Sequence, residues 1–212
     1  MEIFEEISLN LQKGKAKAVV TLVKDAIAQD IPAREILDNG LLAGMDIVGE
    51  KFKNNQVYLP EVMLAAKAMN MGCALLKDLL KEEGVQASGK VCIGTVKGDQ
   101  HDIGKNLVKM MLEGKGLQVV DLGTNVPPAK YVQAAIDEDC SIIMCSALLT
   151  TTMPVMGDIV KACEEAGIRD KVKIMIGGAP ISQEYCDKIG ADAYTPDAAS
   201  AAEMAVRFCS AS

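Results

Sequence analysis

The chain has 212 residues, half of them apolar, with 22 basic side chains against 29 acidic ones and a net charge of −7; this length admits one large domain or two small ones. The acidic balance excludes a partner held through a nucleic-acid backbone, which needs a positive footprint. Seven cysteines without a Cys-x-x-Cys pair, a single histidine, an acidic opening and no apolar run of about 18 residues exclude a zinc cluster, a secretory signal and a membrane span, and place free thiols in a reducing cytoplasm.

Residues 1–84 read as helix throughout. Val19, Leu22, Val23, Ala26 and Ile27 recur at helical spacing. Ile36, Leu37, Ile47 and Val48 mark the next stretch, where Asn39-Gly40 is expected to end one helix and begin another. Pro60 suits the first turn of a last helix carrying Val62, Ala66, Met69, Cys73, Leu76 and Leu80. Four or five short helices predict a small bundle over residues 1–84. Small and polar residues over 85–89 then read as a linker.

From residue 90 the period changes. Short β-rich runs at 90–95, 117–122, 141–146, 173–176 and 192–194 alternate with helical runs at 103–115, 128–137, 153–166, 182–189 and 197–208. Five βα units predict an α/β domain over residues 90–212, a five-stranded parallel sheet of the Rossmann or flavodoxin type covered on both faces. Ligand-binding residues of such a sheet gather in loops beyond the carboxyl ends of its strands.

The loop after the first strand reads Gly98-Asp99-Gln100-His101-Asp102-Ile103-Gly104-Lys105-Asn106. His101 is the one histidine of the chain, and Asp99 stands two residues before it. A carboxylate there can accept the ring N–H, fix the tautomer and raise the basicity of the other nitrogen toward a metal. Taken alone, the loop fits a solvated histidine beside a turn-forming aspartate equally well. Two further segments change the balance. Ser146-Ala147-Leu148 ends the third strand run and Gly177-Gly178 the fourth, so all three converge on one edge of the sheet. Paired glycines there let backbone approach a bulky ligand.

Asp-x-His-x-x-Gly, then Ser-x-Leu, then Gly-Gly at these separations resembles the signature of cobalamin-binding domains. The helical half, with Tyr58-Leu59-Pro60-Glu61-Val62, together with Thr95 and Gly98-Asp99, resembles the stand-alone corrinoid proteins of methyltransferase systems. The resemblance implies a cobalamin-binding domain preceded by a helical-bundle cap over the upper cobalt face, with residues 58–69 nearest the methyl group and a linker that lets the cap move. It implies a cobalamin or related cobamide cofactor, methylcobalamin in the loaded state, with His101 as the metal ligand in place of the cofactor's own base and Asp99 orienting it. Gly98, Gln100, Asp102, Ile103 and Gly104 complete the loop against the cofactor. Ser146 would bond the displaced nucleotide tail, Leu148 would line its slot, and Gly177 and Gly178 would flank it. A hydroxyl six residues after the serine, here Thr152, would extend a His-Asp-hydroxyl relay, with Thr150 and Thr151 as alternative donors.

The implied function is a methyl carrier without turnover of its own. Its implied partners are a donor-specific methyltransferase, a second methyltransferase acting on tetrahydrofolate or coenzyme M, and a reductive activating protein, with no nucleic acid and no membrane. The donor would be a methylated amine, a betaine or a similar one-carbon compound. A cobalamin-based sensor would add a DNA-binding domain, for which the chain has neither residues nor basic charge. An adenosylcobalamin mutase subunit would pair the domain with a barrel. A phospho-acceptor receiver would need an aspartate where Cys145 and Ser146 stand.

Overall fold

A computed structural model describes residues 2–84 and 89–210. The chain divides into two compact units, Met1–Ala87 with Gly114–Gly116, and Ser88–Glu113 with Leu117–Ser212. The expected linker at 85–89 falls almost wholly outside the described residues; its last member, Gly89, already accepts a hydrogen bond from the Gln118 amide.

The first unit is a helical bundle: α1 (Glu2–Gln12), α2 (Ala16–Ala28), α3 (Ala33–Glu35), a π-helical turn (Ile36–Leu42), α4 (Ala43–Lys53) and α5 (Leu59–Glu82). The expected break at Asn39-Gly40 does not occur. Helix runs through it from α3 to α4 by way of the wider π turn. The glycines serve packing instead: a Cβ on Gly40 would press on Ile7, and one on Gly44 would meet the Ser8 backbone at 3.0 Å. Small residues bring α1 close, and the wider turn takes up the local mismatch in helical phase.

α5 also departs from expectation. Its 24 residues are long and apolar enough to cross a membrane by length and composition, although Glu61, Lys67 and Lys77 interrupt any contiguous apolar run. Val62, Ala65, Ala66, Met69, Gly72 and Leu76 are buried, and the helix packs along α2, as the central helix of a bundle does. Pro60 sits in its first turn and the Glu61 carboxylate accepts the Tyr58 amide at 2.6 Å, satisfying a donor that the helix start leaves unpaired.

The second unit is a parallel sheet of β1 (Lys90–Thr95), β2 (Gln118–Asp121), β3 (Ile142–Ser146), β4 (Lys173–Gly177) and β5 (Ala193–Tyr194), in the order β2-β1-β3-β4-β5. Its helices are α6 (Ile103–Gly114), α7 (Pro128–Asp137), α8 (Pro154–Glu165), α9 (Gln183–Ile189) and α10 (Ala198–Ser210). The alternation read from the sequence holds, with ends shifted by at most two residues. Right-handed crossovers send α6 and α10 to one face and α7, α8 and α9 to the other. The chain reverses direction across the sheet between β1 and β3, so a crevice opens there at the strands' carboxyl ends.

On the α7–α9 face, Cys92, Ile143, Cys145, Ile174 and Ile176 pack against Tyr131, Met156, Ile159 and Cys163. Burial pushes the Cys163 thiol up to about 11, so it stays protonated as a small hydrophobe. Tyr131 is fully buried and its hydroxyl has no hydrogen-bond partner among the described residues; a side chain on Gly94 would collide with it.

Candidate functional site

Register builds the site. Thr95, Ser146 and Gly177 stand side by side at the ends of β1, β3 and β4. Beyond Thr95 the chain turns sharply: the Asp99 amide bonds back to the Val96 carbonyl at 3.1 Å, and Gly98 adopts a left-handed φ of 87°, which glycine adopts without strain. The Thr95 hydroxyl, itself fully buried, donates to the His101 carbonyl at 2.8 Å. The loop is thereby fastened to the strand it leaves.

Asp99 is the hub. Its side chain is completely buried. Oδ1 accepts the His101 amide at 3.0 Å and lies 2.6 Å from His101 Nδ1. Oδ2 accepts the Leu148 amide at 2.8 Å and the Leu149 amide at 3.3 Å, and the Thr152 hydroxyl lies 3.1 Å from it. Burial pushes this carboxyl up, but the His101 and Leu148 amides, the imidazole and the Thr152 hydroxyl together outweigh burial and hold it well below the usual carboxylate range. With Nδ1 engaged by the carboxylate, Nε2 is the outward nitrogen of a ring whose side chain is 52% exposed. Among the described residues no three His, Cys, Asp or Glu side chains gather as a metal site, so a metal here would take one protein ligand and bring its other ligands with it.

Next to the loop, a cleft of about 270 Å³ enters the α6/α10 face. Ile93, Met144, Met175 and Val108 give it apolar walls, and Ser146, Gly177, Gly178 and Gly104 stand along it. Gly177 faces open space where a Cβ would intrude; a Cβ on Gly178 would collide with the Ala147 carbonyl, at a φ of 132°. Backbone thus forms the edge of the cleft where side chains would fill it. A long, flat ligand with one metal-binding face at His101 and a tail entering between strand ends fits this arrangement, so the residues present suit a cobamide.

The residues expected at the site do not all converge in the same way. Asp99, His101 and Thr152 form one bonded group, and Gly104, Ser146, Gly177 and Gly178 line the cleft. Leu148 does not line the cleft. Its side chain is exposed on the rim, and its backbone amide is what Asp99 uses. Thr150 is exposed and is not among the groups bonded to Asp99, so the third member of the relay geometry is Thr152. Ile103 is 69% exposed beside the ring, Gln100 accepts the Thr124 hydroxyl at 3.0 Å, and Asp102 accepts the Asn106 side-chain amide at 3.0 Å. Lys105, which also lines the cleft, is buried to 3% exposure and pairs with Asp121 at 2.7 Å. The Asp121 carboxyl is pushed up by burial and brought below its ordinary value by Lys105, the Gly123 amide and Lys109.

Sequence reasoning missed Asn125. Its amide donates to the Asp99 carbonyl at 2.9 Å, and its Oδ1 accepts the Gly98 amide at 2.8 Å. The signal lay in Gly123-Thr124-Asn125 ahead of Pro127, a turn composition in which asparagine supplies left-handed backbone.

Residues 89–205 match the family of the B12 binding domain, and residues 3–77 match a second family of that description. Dimethylamine corrinoid protein 1 of Methanosarcina acetivorans is 42% identical over 198 residues, covering 90% of this chain and 93% of that one. Trimethylamine corrinoid protein 1 of the same organism is 44% identical over 192 residues, covering 85% and 89%. In structure, the methanol:cobalamin methyltransferase complex MtaBC from Methanosarcina barkeri matches with a TM-score of 0.88 and 29% identity, over all of this chain and 81% of that one.

Proposed function

This chain belongs to the B12-binding corrinoid proteins of methyltransferase systems, and on that premise we propose that His101, oriented by Asp99, is the ligand its cobamide cofactor takes from the protein. The chain is a methyl carrier and not a catalyst in its own right. The bound cobamide supplies a cobalt centre that accepts and releases a methyl group; the protein supplies orientation and electronics.

One observation carries the reading. The buried Asp99 carboxylate engages Nδ1 of the half-exposed imidazole at 2.6 Å, so the one nitrogen offered outward is Nε2. His101 would donate it to the metal. Asp99 would accept a hydrogen bond from Nδ1 and so hold the ring in the tautomer that leaves Nε2 for the metal. Thr152 and the Leu148 and Leu149 amides keep the carboxylate from turning. Ser146, Gly177 and Gly178 would hold the cofactor's tail along the cleft, while Gly98, Gln100, Asp102, Ile103 and Gly104 would meet the ring's lower rim.

The methyl donor is proposed to be a methylated amine, supported by the dimethylamine and trimethylamine proteins to which the chain is similar. A donor-specific methyltransferase would load the carrier, a partnership supported by the structural likeness to the MtaBC methyltransferase complex. A second methyltransferase would pass the group to tetrahydrofolate or coenzyme M, and a reductive activating protein would restore oxidised cobalt. Seven cysteines, with no Cys-x-x-Cys pair among them, favour the reducing cytoplasm for this work. The test is to load the full chain with hydroxocobalamin, reduce it, and supply mono-, di- and trimethylamine with their methyltransferases. A methylated-cobalamin absorption spectrum with one amine is expected; none with any amine overturns the donor assignment, and failure to take up cobalamin overturns the site.

A further inference from the structure

Beyond β2 the chain doubles back over the His101 loop. Gly123 and Asn125 both take left-handed backbone, at φ 84° and 54°. The segment is stitched to β1 on one side: the Thr95 amide donates to the Gly123 carbonyl and the Val126 amide to the Thr95 carbonyl, each at 2.9 Å. Its base is pinned by Asp121, which accepts the Gly123 amide at 3.0 Å and the buried Lys105 ammonium of α6 at 2.7 Å. On the other side it reaches the loop itself through three bonds. These are the Gly98 amide to Asn125 Oδ1, the Asn125 amide to the Asp99 carbonyl, and the Thr124 hydroxyl to Gln100 Oε1.

We propose that Asn125 is a positioning residue for His101, holding the Gly98–His101 backbone at the height from which the imidazole meets its metal. The inference rests on the cobamide reading above for its consequence, but not for its geometry. Asp99 fixes which way the ring faces. The Asp99 side chain bonds His101, Leu148, Leu149 and Thr152; the Gly98 amide is held by Asn125, which adds its bond to the Val96–Asp99 and Thr95–His101 bonds that tie the loop to β1. Asparagine meets both demands of the place, since it tolerates φ above zero and offers a short acceptor.

The test uses the full chain. Asn125→Gly keeps the left-handed backbone and removes the acceptor; Asn125→Asp keeps both. In cobamide-free protein, amide hydrogen exchange over residues 97–101 should rise about three- to tenfold in Asn125→Gly, the worth of one partly exposed hydrogen bond, and stay near wild type in Asn125→Asp. Hydroxocobalamin should bind Asn125→Gly more weakly by a similar factor at unchanged Tm, with Asn125→Asp restoring affinity. Wild-type exchange in Asn125→Gly, or an Asn125→Asp variant as perturbed as the glycine one, overturns the proposal. If Asn125→Gly does not fold, Asn125→Ser, which draws the acceptor back from the Gly98 amide, takes its place, and wild-type exchange over residues 97–101 in that variant then overturns it. Absence of cobalamin uptake by the wild type would remove the cobamide reading, while exchange in the cofactor-free chain would still decide the role of Asn125.

Discussion

Asp99 holds His101 twice, by the backbone amide at 3.0 Å and by the ring Nδ1 at 2.6 Å, through the same carboxylate oxygen. The His101 backbone and the ring orientation are therefore tied to each other through a single atom. A side chain that did one without the other would leave the imidazole free to swing.

His101→Ala should leave the fold intact but cost about 1–2 kcal/mol, because the buried Asp99 carboxylate loses its bond to the ring Nδ1. Bound cobalamin should then show the absorption of a cofactor lacking its lower nitrogen ligand. An unchanged visible spectrum in the variant would show that some other group lies beneath the metal.

Asp99→Asn should act on stability, and in a pH-dependent way. The native carboxyl lies below its unfolded value of about 3.9, so the folded state prefers the anion. That contribution is complete above the unfolded pKa and is lost as pH falls below about 4 toward the depressed native value. At neutral pH the variant should be less stable by about 1–3 kcal/mol, as buried amides at Leu148 and Leu149 lose a charged acceptor. The gap in urea midpoint between cofactor-free wild type and variant should narrow on acidification below pH 4; a constant gap would mean that Asp99 is not held as an anion.

The Lys105–Asp121 pair should respond unequally to its two deletions. Asp121→Ala leaves a nearly buried ammonium on the neutral Asn106 carboxamide oxygen in place of a carboxylate and should cost about 2–3 kcal/mol, since a buried charge without its counter-ion is expensive. Lys105→Met fills the same volume with apolar atoms and leaves Asp121 with Lys109 and the Gly123 amide, so it should cost under about 1 kcal/mol. Denaturant unfolding of both variants checks the order, and equal losses would count against a buried cation at Lys105.

The two glycines of the cleft should separate stability from binding. Gly178→Ala places a Cβ against the Ala147 carbonyl at a φ of 132° and should cost about 1–3 kcal/mol from backbone strain alone. Gly177→Ala meets open space; Tm should hold while cobalamin binds more weakly, because the new methyl stands in the cleft. Undiminished affinity in Gly177→Ala would place the tail elsewhere.

Tyr131→Phe removes a hydroxyl that is fully buried and has no hydrogen-bond partner among the described residues. The variant should be as stable as wild type or more stable by about 1 kcal/mol, because an unsatisfied buried hydroxyl is costly. A clear loss in urea unfolding would reveal a hydrogen bond to this group.

The sequence by itself determined the helical first half, the five βα units, and the placing of Asp99, His101, Ser146 and Gly177-Gly178 at one edge of a parallel sheet. Each of these follows from short-range periodicity or from the rule that such sheets bind ligands beyond their carboxyl ends. Only the tertiary structure decided that Thr152 and not Thr150 meets Asp99, that Leu148 serves through its amide, that Lys105 is buried on Asp121, that Asn125 braces the loop, and that helix continues through Asn39-Gly40. Those outcomes join residues from separate elements across strand register and crossover geometry. A side chain's partner there is fixed by atoms from distant parts of the chain, which no local window of sequence contains.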